Sequence, residues 1–339
     1  MWCPHSPPGC HLYQPHTRIS LHPRGLKYHY LFSPADSSGL KPTLVFLHGF
    51  PSNANEWRHQ IRFFLGRGYG VLAPDLLGYG GTDKPTDVAA YAKSLMSADI
   101  IAIMDEEGIT KTKVYAVGHD WGCALISGLA TFYPARFAGF AFLAVGYLAP
   151  TPDYNFEAFN ASAKALVGYE CFGYFYFFAE EGADKIIADH IGTFLSILYP
   201  HDSKMRLAHM APRDKIKDWV LSRKMTPPPS YLTQDDLDVH KAELLEGGLA
   251  GPLCWYKQYT TGMVAEDDKL VPKENYVIKQ PVFFAATLND HICPPEVGLV
   301  SLKPGCPNLT IKEYHTDHWV QLAAPEQLNK DLLEWIESQ

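Results

Sequence analysis

An interruption in an otherwise regular pattern limits this chain to few folds. From Lys27 to Val145, short apolar β-rich runs alternate with longer helical patterns. The runs Lys27–Phe32, Thr43–Leu47, Tyr69–Ala73, Val114–Val117 and Phe137–Val145 read as strands. Glu56–Leu65, Tyr91–Glu106 and Trp121–Thr131 read as helices, the first with Trp57, Ile61, Phe64 and Leu65 on one face, the second with Leu95, Ile100, Ile103 and Met104 inward. Strands separated by helices of this length need crossover connections, hence an α/β, mostly parallel sheet with helices on both faces. Near Gly146 the alternation stops. Up to about Gly262 the pattern is helical: Phe156–Val167, Tyr174–Leu198 with a break at Gly182 or Gly192, Lys215–Leu221 and Gln234–Leu245, with Pro227-Pro228-Pro229 as a rigid loop. Strands Val282–Ala286 and Thr310–Tyr314 and a closing helix Glu326–Glu337 then resume it. A helical block inserted into one sheet reads as a lid. The expected organisation is a loose tail at 1–17, a core at 18–150 and 263–339, and an all-helical cap at 151–262.

Composition narrows the function classes. With 47% hydrophobic and 13% aromatic residues, the chain has a core and material for apolar pockets. A net charge of −8 without a basic run argues against nucleic acid. Seven scattered cysteines without a C-x-x-C pair signal neither a disulfide framework nor a zinc site, and suit a reducing compartment. The tail holds Cys3, His5, Cys10, His11 and His16, but its prolines favour a loose segment over a metal site. No apolar run is long enough to span a membrane, and the first residues lack a signal-peptide pattern. The expectation is a cytoplasmic protein without metal or cofactor.

The chemistry concentrates at strand ends. Val114–Gly122, VYAVGHDWG, is a strand, a G-x-D-x-G turn and a small-residue helix, the layout of a nucleophile elbow with Asp120 at its tip. Alone, this also fits a tight turn with an aspartate helix cap. His48-Gly49-Phe50-Pro51 follows the strand TLVFL; in elbow hydrolases a main-chain N–H from this loop and the one after the nucleophile form an oxyanion hole, here Phe50 and Trp121. Asn289-Asp290-His291 and His315-Thr316-Asp317-His318-Trp319 follow the last two strands, so nucleophile, acid and histidine occur in the elbow-hydrolase order.

These motifs, with GYGGTDKP at 78–85 and HWVQLAAPEQLN from 318, make residues 20–337 resemble the soluble epoxide hydrolases of the α/β-hydrolase fold. The resemblance implies that Asp120 attacks an epoxide carbon to form an ester, and that His318, oriented by Asp290, activates the water that cleaves it to a vicinal diol. It further implies that Tyr174 and Tyr256 hold the epoxide oxygen, with Tyr176 and Tyr259 as fallbacks, and that Phe50, Trp121 and Trp319 contact the substrate. The aromatic cap points to a lipophilic epoxide as the small-molecule partner. One departure stands out: the family usually has glycine before the histidine, and here it is Asp317, with His315 as an alternative base. His48 and His119 read as holding main-chain positions, and Cys123 and Cys293 as packing residues. Two rivals remain. A haloalkane dehalogenase would use the same aspartate but needs a second halide donor, commonly asparagine, where Phe50 stands. A hydrolase-fold binding protein would keep the pocket without turnover.

Overall fold

The computed structural model describes residues 15–21, 24–37, 39–110 and 113–339. Eight strands form one sheet: β1 (His16–Leu21), β2 (Lys27–Ser33), β3 (Thr43–Leu47), β4 (Gly70–Pro74), β5 (Val114–His119), β6 (Gly139–Leu143), β7 (Val282–Thr287) and β8 (Leu309–Tyr314). Their order is β1-β2-β4-β3-β5-β6-β7-β8, antiparallel at β1–β2 and β2–β4 and parallel elsewhere. Every residue of β3 through β7 is buried, which explains their unbroken apolar runs: helices cover both faces. Helix Trp121–Phe132 packs against β5 with all but its last residue buried, and helix Pro325–Glu337 covers the other face through Leu328, Leu332 and Trp335.

Four sequence expectations need correction. Residues 1–14 of the expected loose tail lie outside the described residues, but His16 and Thr17 belong to β1, paired with Phe32 and Leu31. That edge strand escapes pattern reading because Ile19 and Leu21 face solvent while Ser20 is buried. Leu95 is 39% exposed; the inward face of helix Lys93–Glu106 runs through Met96, Ile100, Ile103 and Met104, at spacings of three and four residues. The stretch 174–198 forms three helices, Tyr174–Ala179, Ala183–Asp189 and Ile191–Leu198. Gly182 does break it, in the left-handed conformation, but the second break falls at His190 and Gly192 stays helical. Helix Pro295–Gly305, absent from the pattern, packs against Phe156–Val167.

Between β6 and β7 every regular element up to Met263–Asp268 is an α-helix, followed only by a 3-10 turn at Lys273–Asn275. The parallel register brings the carboxyl ends of β3, β5, β7 and β8 to one edge of the sheet, with Leu47 beside Gly118 and Thr287 beside Tyr314. Side chains in the loops that follow converge there, as ligand sites do in open α/β sheets.

Candidate active site

Asp120 sits between β5 and helix Trp121–Phe132 with φ 51° and ψ −120°. A positive φ is unfavourable for a side chain with a Cβ, roughly 1–3 kcal/mol, and such strain persists only where the surroundings enforce it. Here they do. A Cβ on Gly122 would lie 1.9 Å from the Leu47 carbonyl oxygen, so strand and helix meet too closely for any other residue. The Phe50 N–H donates to Asp120 Oδ1 at 2.8 Å, and Trp121, the second expected donor, opens the helix, where first-turn N–H groups have no partner within the helix. Burial pushes the Asp120 carboxyl up, but the His318 hydrogen bond and charge, the His119 charge and the Phe50 N–H outweigh it and hold it below the usual range.

His318 lies between two carboxylates. Its Nδ1 is 2.6 Å from Asp290 Oδ2, and its Nε2 is 3.5 Å from Asp120 Oδ2. Asp290 Oδ1 accepts the Ile292 and Cys293 N–H groups, both at 3.0 Å. Both side chains are buried. Burial disfavours each charge, yet the pair stabilises both: Asp290 falls to about 2, and His318 rises to about 10 with Asp290 and Asp120 as its partners. The imidazole therefore carries a proton while Asp120 is ionised. His315, the alternative base, is exposed.

A buried polar layer supports this arrangement. His119 Nε2 donates to the His318 carbonyl oxygen at 2.9 Å, while its Nδ1 is 2.7 Å from Glu56 Oε1, which Gln321 also contacts. His48 accepts the Leu76 N–H at Nε2, 2.9 Å away, and its Nδ1 faces the Gly49 carbonyl. Both histidines thus hold main-chain positions. The sequence carries one weak signal for Glu56, an acidic residue next to the core residue Trp57 at the start of a helical run.

A cavity of about 700 Å³ opens in front of Asp120, with Trp121, Tyr174, Phe175, Tyr256 and Cys293 among its walls. The Tyr174 and Tyr256 rings are 6.0 Å apart, and Tyr256 stands edge-on to Trp121 at 4.9 Å. Burial, with Asp120's charge adding to it, keeps both phenols protonated well past their ordinary range. The fallback Tyr176 lies elsewhere, its hydroxyl donating to Glu157 at 2.5 Å; Tyr259 lines the cavity, but its hydroxyl is buried without a hydrogen-bond partner among the described residues.

Of the three expected substrate contacts, Trp121 lines the cavity. Phe50 turns its N–H to Asp120 and its ring into Phe178, Phe194 and Tyr256. Trp319 is not on the cavity wall: it is buried behind His318, 4.2 Å from the Tyr199 ring and beneath the Arg206 guanidinium. Cys123 is a packing residue, its Sγ donating to the Gly118 carbonyl. Donor atoms of Asp290, Cys293 and His318 lie within 4.8 Å of one another. Two of them already share a hydrogen bond, and burial with two nearby carboxylates raises the Cys293 thiol well above its ordinary range, so the set is poorly prepared to ligate a metal.

A profile of the alpha/beta hydrolase fold family matches residues 42–325. Epoxide hydrolase 2 of Siraitia grosvenorii is 30% identical over 251 residues, 72% of this chain and 72% of that protein. Bifunctional epoxide hydrolase 2 of Mus musculus is 26% identical over 96% of this chain, which spans only 56% of that protein. The crystal structure of epoxide hydrolase A from Mycobacterium thermoresistibile superposes with a TM-score of 0.76 at 27% identity, covering 95% of this chain and 98% of the other. The chain belongs to the α/β-hydrolase fold family and, within that family, to the epoxide hydrolases.

Proposed function

We propose that this protein converts lipophilic epoxides and water to vicinal diols through a covalent ester on Asp120. The observation that carries this reading is the placement of one ionised carboxylate, oriented by the Phe50 N–H, on the wall of a largely apolar cavity that also presents two protonated phenols. An sp3 epoxide carbon needs a nucleophile on one side and a proton for the departing oxygen on the other. Asp120 supplies the first; Tyr174 and Tyr256 supply the second. A carboxylate nucleophile also leaves an ester with an attackable carbonyl, whereas serine would leave an inert ether.

The same geometry switches His318 on. Asp120's negative charge helps hold the imidazole protonated. Esterification removes that charge, so the pKa of His318 falls and the ring becomes a base just when a water must be activated. The proton it gives up balances the one delivered to the epoxide oxygen. Water attacks the Asp120 carbonyl, the Phe50 and Trp121 N–H groups stabilise the oxyanion, and the ester breaks to diol and free carboxylate. In this reading the helices at 151–262 are a cap carrying the two tyrosines, and the core is 18–150 with 263–339. The five described cysteines are buried free thiols, which supports a reducing compartment such as the cytoplasm. Among the described residues no helix is long and apolar enough to cross a membrane.

A panel of aryl and long-chain epoxides assayed for diol, with halide release from haloalkanes measured in parallel, tests the assignment. Diol formation that Asp120→Asn abolishes supports it. Halide release without diol would make the chain a dehalogenase, and tight epoxide binding without either product would make it a receptor.

A further inference from the structure

The residue before His318 departs from the glycine usual in this family, and its side chain has a defined destination. Asp317 turns away from the His318 ring and accepts the Tyr231 hydroxyl at 2.8 Å and Arg206 Nη2 at 3.1 Å. Arg206 is fully buried in helix Met205–His209, and Tyr231 lies in the loop before helix Gln234–Gly247. Both belong to the helical region between β6 and β7, whereas Asp317 belongs to the loop after β8. Arg206 also donates from Nε and Nη2 to the Leu198 carbonyl, and its guanidinium sits 4.8 Å over the Trp319 ring. Its Nη1 is buried without a hydrogen-bond partner among the described residues. A cation held this deep is pinned by the carboxylate it contacts, because any displacement leaves a buried charge unpaired.

The loop carrying His318 is thus clamped from two sides. His119 grips the His318 carbonyl from the core, and Arg206 with Tyr231 grips Asp317 from the helical region. Trp319, next to the histidine in the chain, contacts both Arg206 and Tyr199.

We propose that Arg206, Asp317 and Tyr231 form a latch that positions His318 over the Asp120 ester, so that the helical region sets the rate of ester hydrolysis as well as the shape of the pocket. The proposal rests on the ester mechanism above. The latch touches neither Asp120 nor the two phenols. Loosening it therefore leaves alkylation intact and slows the step that needs the imidazole at a fixed distance, since a shift of about 1 Å in a reacting group can cost ~10²-fold in rate.

Single-turnover kinetics on Tyr231→Phe and on the double variant Arg206→Met with Asp317→Ala test this. The double variant removes both charges together and so avoids stranding one in the interior. Both should alkylate within about twofold of wild type, hydrolyse the ester ~10-fold or more slowly, and carry ester as the main steady-state species in intact-protein mass spectra. Arg206→Lys, which cannot reach Leu198 and Asp317 together, should behave alike, and Asp317→Asn, which keeps the acceptor, should recover part of the rate. A purely structural role would lower the unfolding temperature while leaving the ratio of alkylation to hydrolysis unchanged. That result in either variant, with His318→Gln still trapping ester, overturns the latch alone. Absence of ester in His318→Gln overturns the mechanism and the latch with it.

Discussion

On the proposed mechanism, replacing His318 by glutamine should separate the two halves of the reaction. Glutamine has comparable reach and can donate to Asp290 Oδ2, but it cannot take a proton from water. Asp290 keeps its two main-chain donors at 3.0 Å from Ile292 and Cys293 and exchanges an imidazolium donor for an amide, so the fold loses part of one charge-assisted hydrogen bond, less than about 3 kcal/mol, and should survive. The nucleophile keeps the Phe50 N–H at 2.8 Å, and the phenols are untouched, so the ester still forms. Its cleavage loses general-base help, typically ~10²–10⁴-fold, or about 3–5 kcal/mol of barrier. With one step preserved and the next slowed this much, nearly all enzyme should rest as ester. Intact-protein mass spectrometry after mixing with epoxide should show a shift equal to the mass of the substrate, located on the peptide containing Asp120. His315→Gln, altered at an exposed position, should show no adduct. An unmodified His318→Gln enzyme that still turns over slowly would refute the reasoning, as would trapping by His315→Gln alone.

Three further outcomes follow from the same geometry. Tyr174→Phe and Tyr256→Phe should each slow alkylation ~10²-fold with little change in unfolding temperature, and the double variant should be nearly inactive; stopped-flow fluorescence of Trp121, 4.9 Å from the Tyr256 ring, reads the step. Stability should fall at both pH extremes: His318, raised to about 10, contributes stability below about pH 6.5 that is lost as pH rises through 10, and Asp290, lowered to about 2, contributes stability above about pH 4 that is lost as pH falls through 2. Thermal melts of wild type, His318→Gln and Asp290→Asn check this, and equal pH profiles in all three would contradict it. Gly122→Ala should fail to accumulate as folded protein, because its Cβ would meet the Leu47 carbonyl oxygen at 1.9 Å.

Most strands and the candidate reacting residues are legible in the sequence for a shared physical reason. Parallel strands buried on both faces need continuous apolar runs, and each run ends where a polar loop begins, so Phe50, Asp120 and Asp290 announce themselves as residues just beyond those ends, whereas His318 follows the partly exposed edge strand β8 and is marked only by its loop. What is not legible depends on contacts across long sequence separations. Arg206 meets Asp317 across 111 residues and Tyr231 meets it across 86, and no local periodicity encodes either. Glu56 shows only as a misplaced charge until His119 is found beside it. Trp319, next to the histidine in the chain, is absent from the cavity wall and packs instead against Tyr199 and Arg206. Strand β1 is hidden because its pairing with β2 satisfies main-chain groups while its apolar side chains stay in solvent.

The central claim is that the diol's new oxygen comes first from Asp120 and not from water. One turnover with enzyme in excess, run in water labelled with heavy oxygen, tests it directly. The diol released should contain only light oxygen, and the peptide carrying Asp120 should have gained one heavy oxygen in its carboxylate. Heavy oxygen in the first-turnover diol, with Asp120 unlabelled, would mean that water attacks the epoxide itself and that the covalent mechanism is wrong.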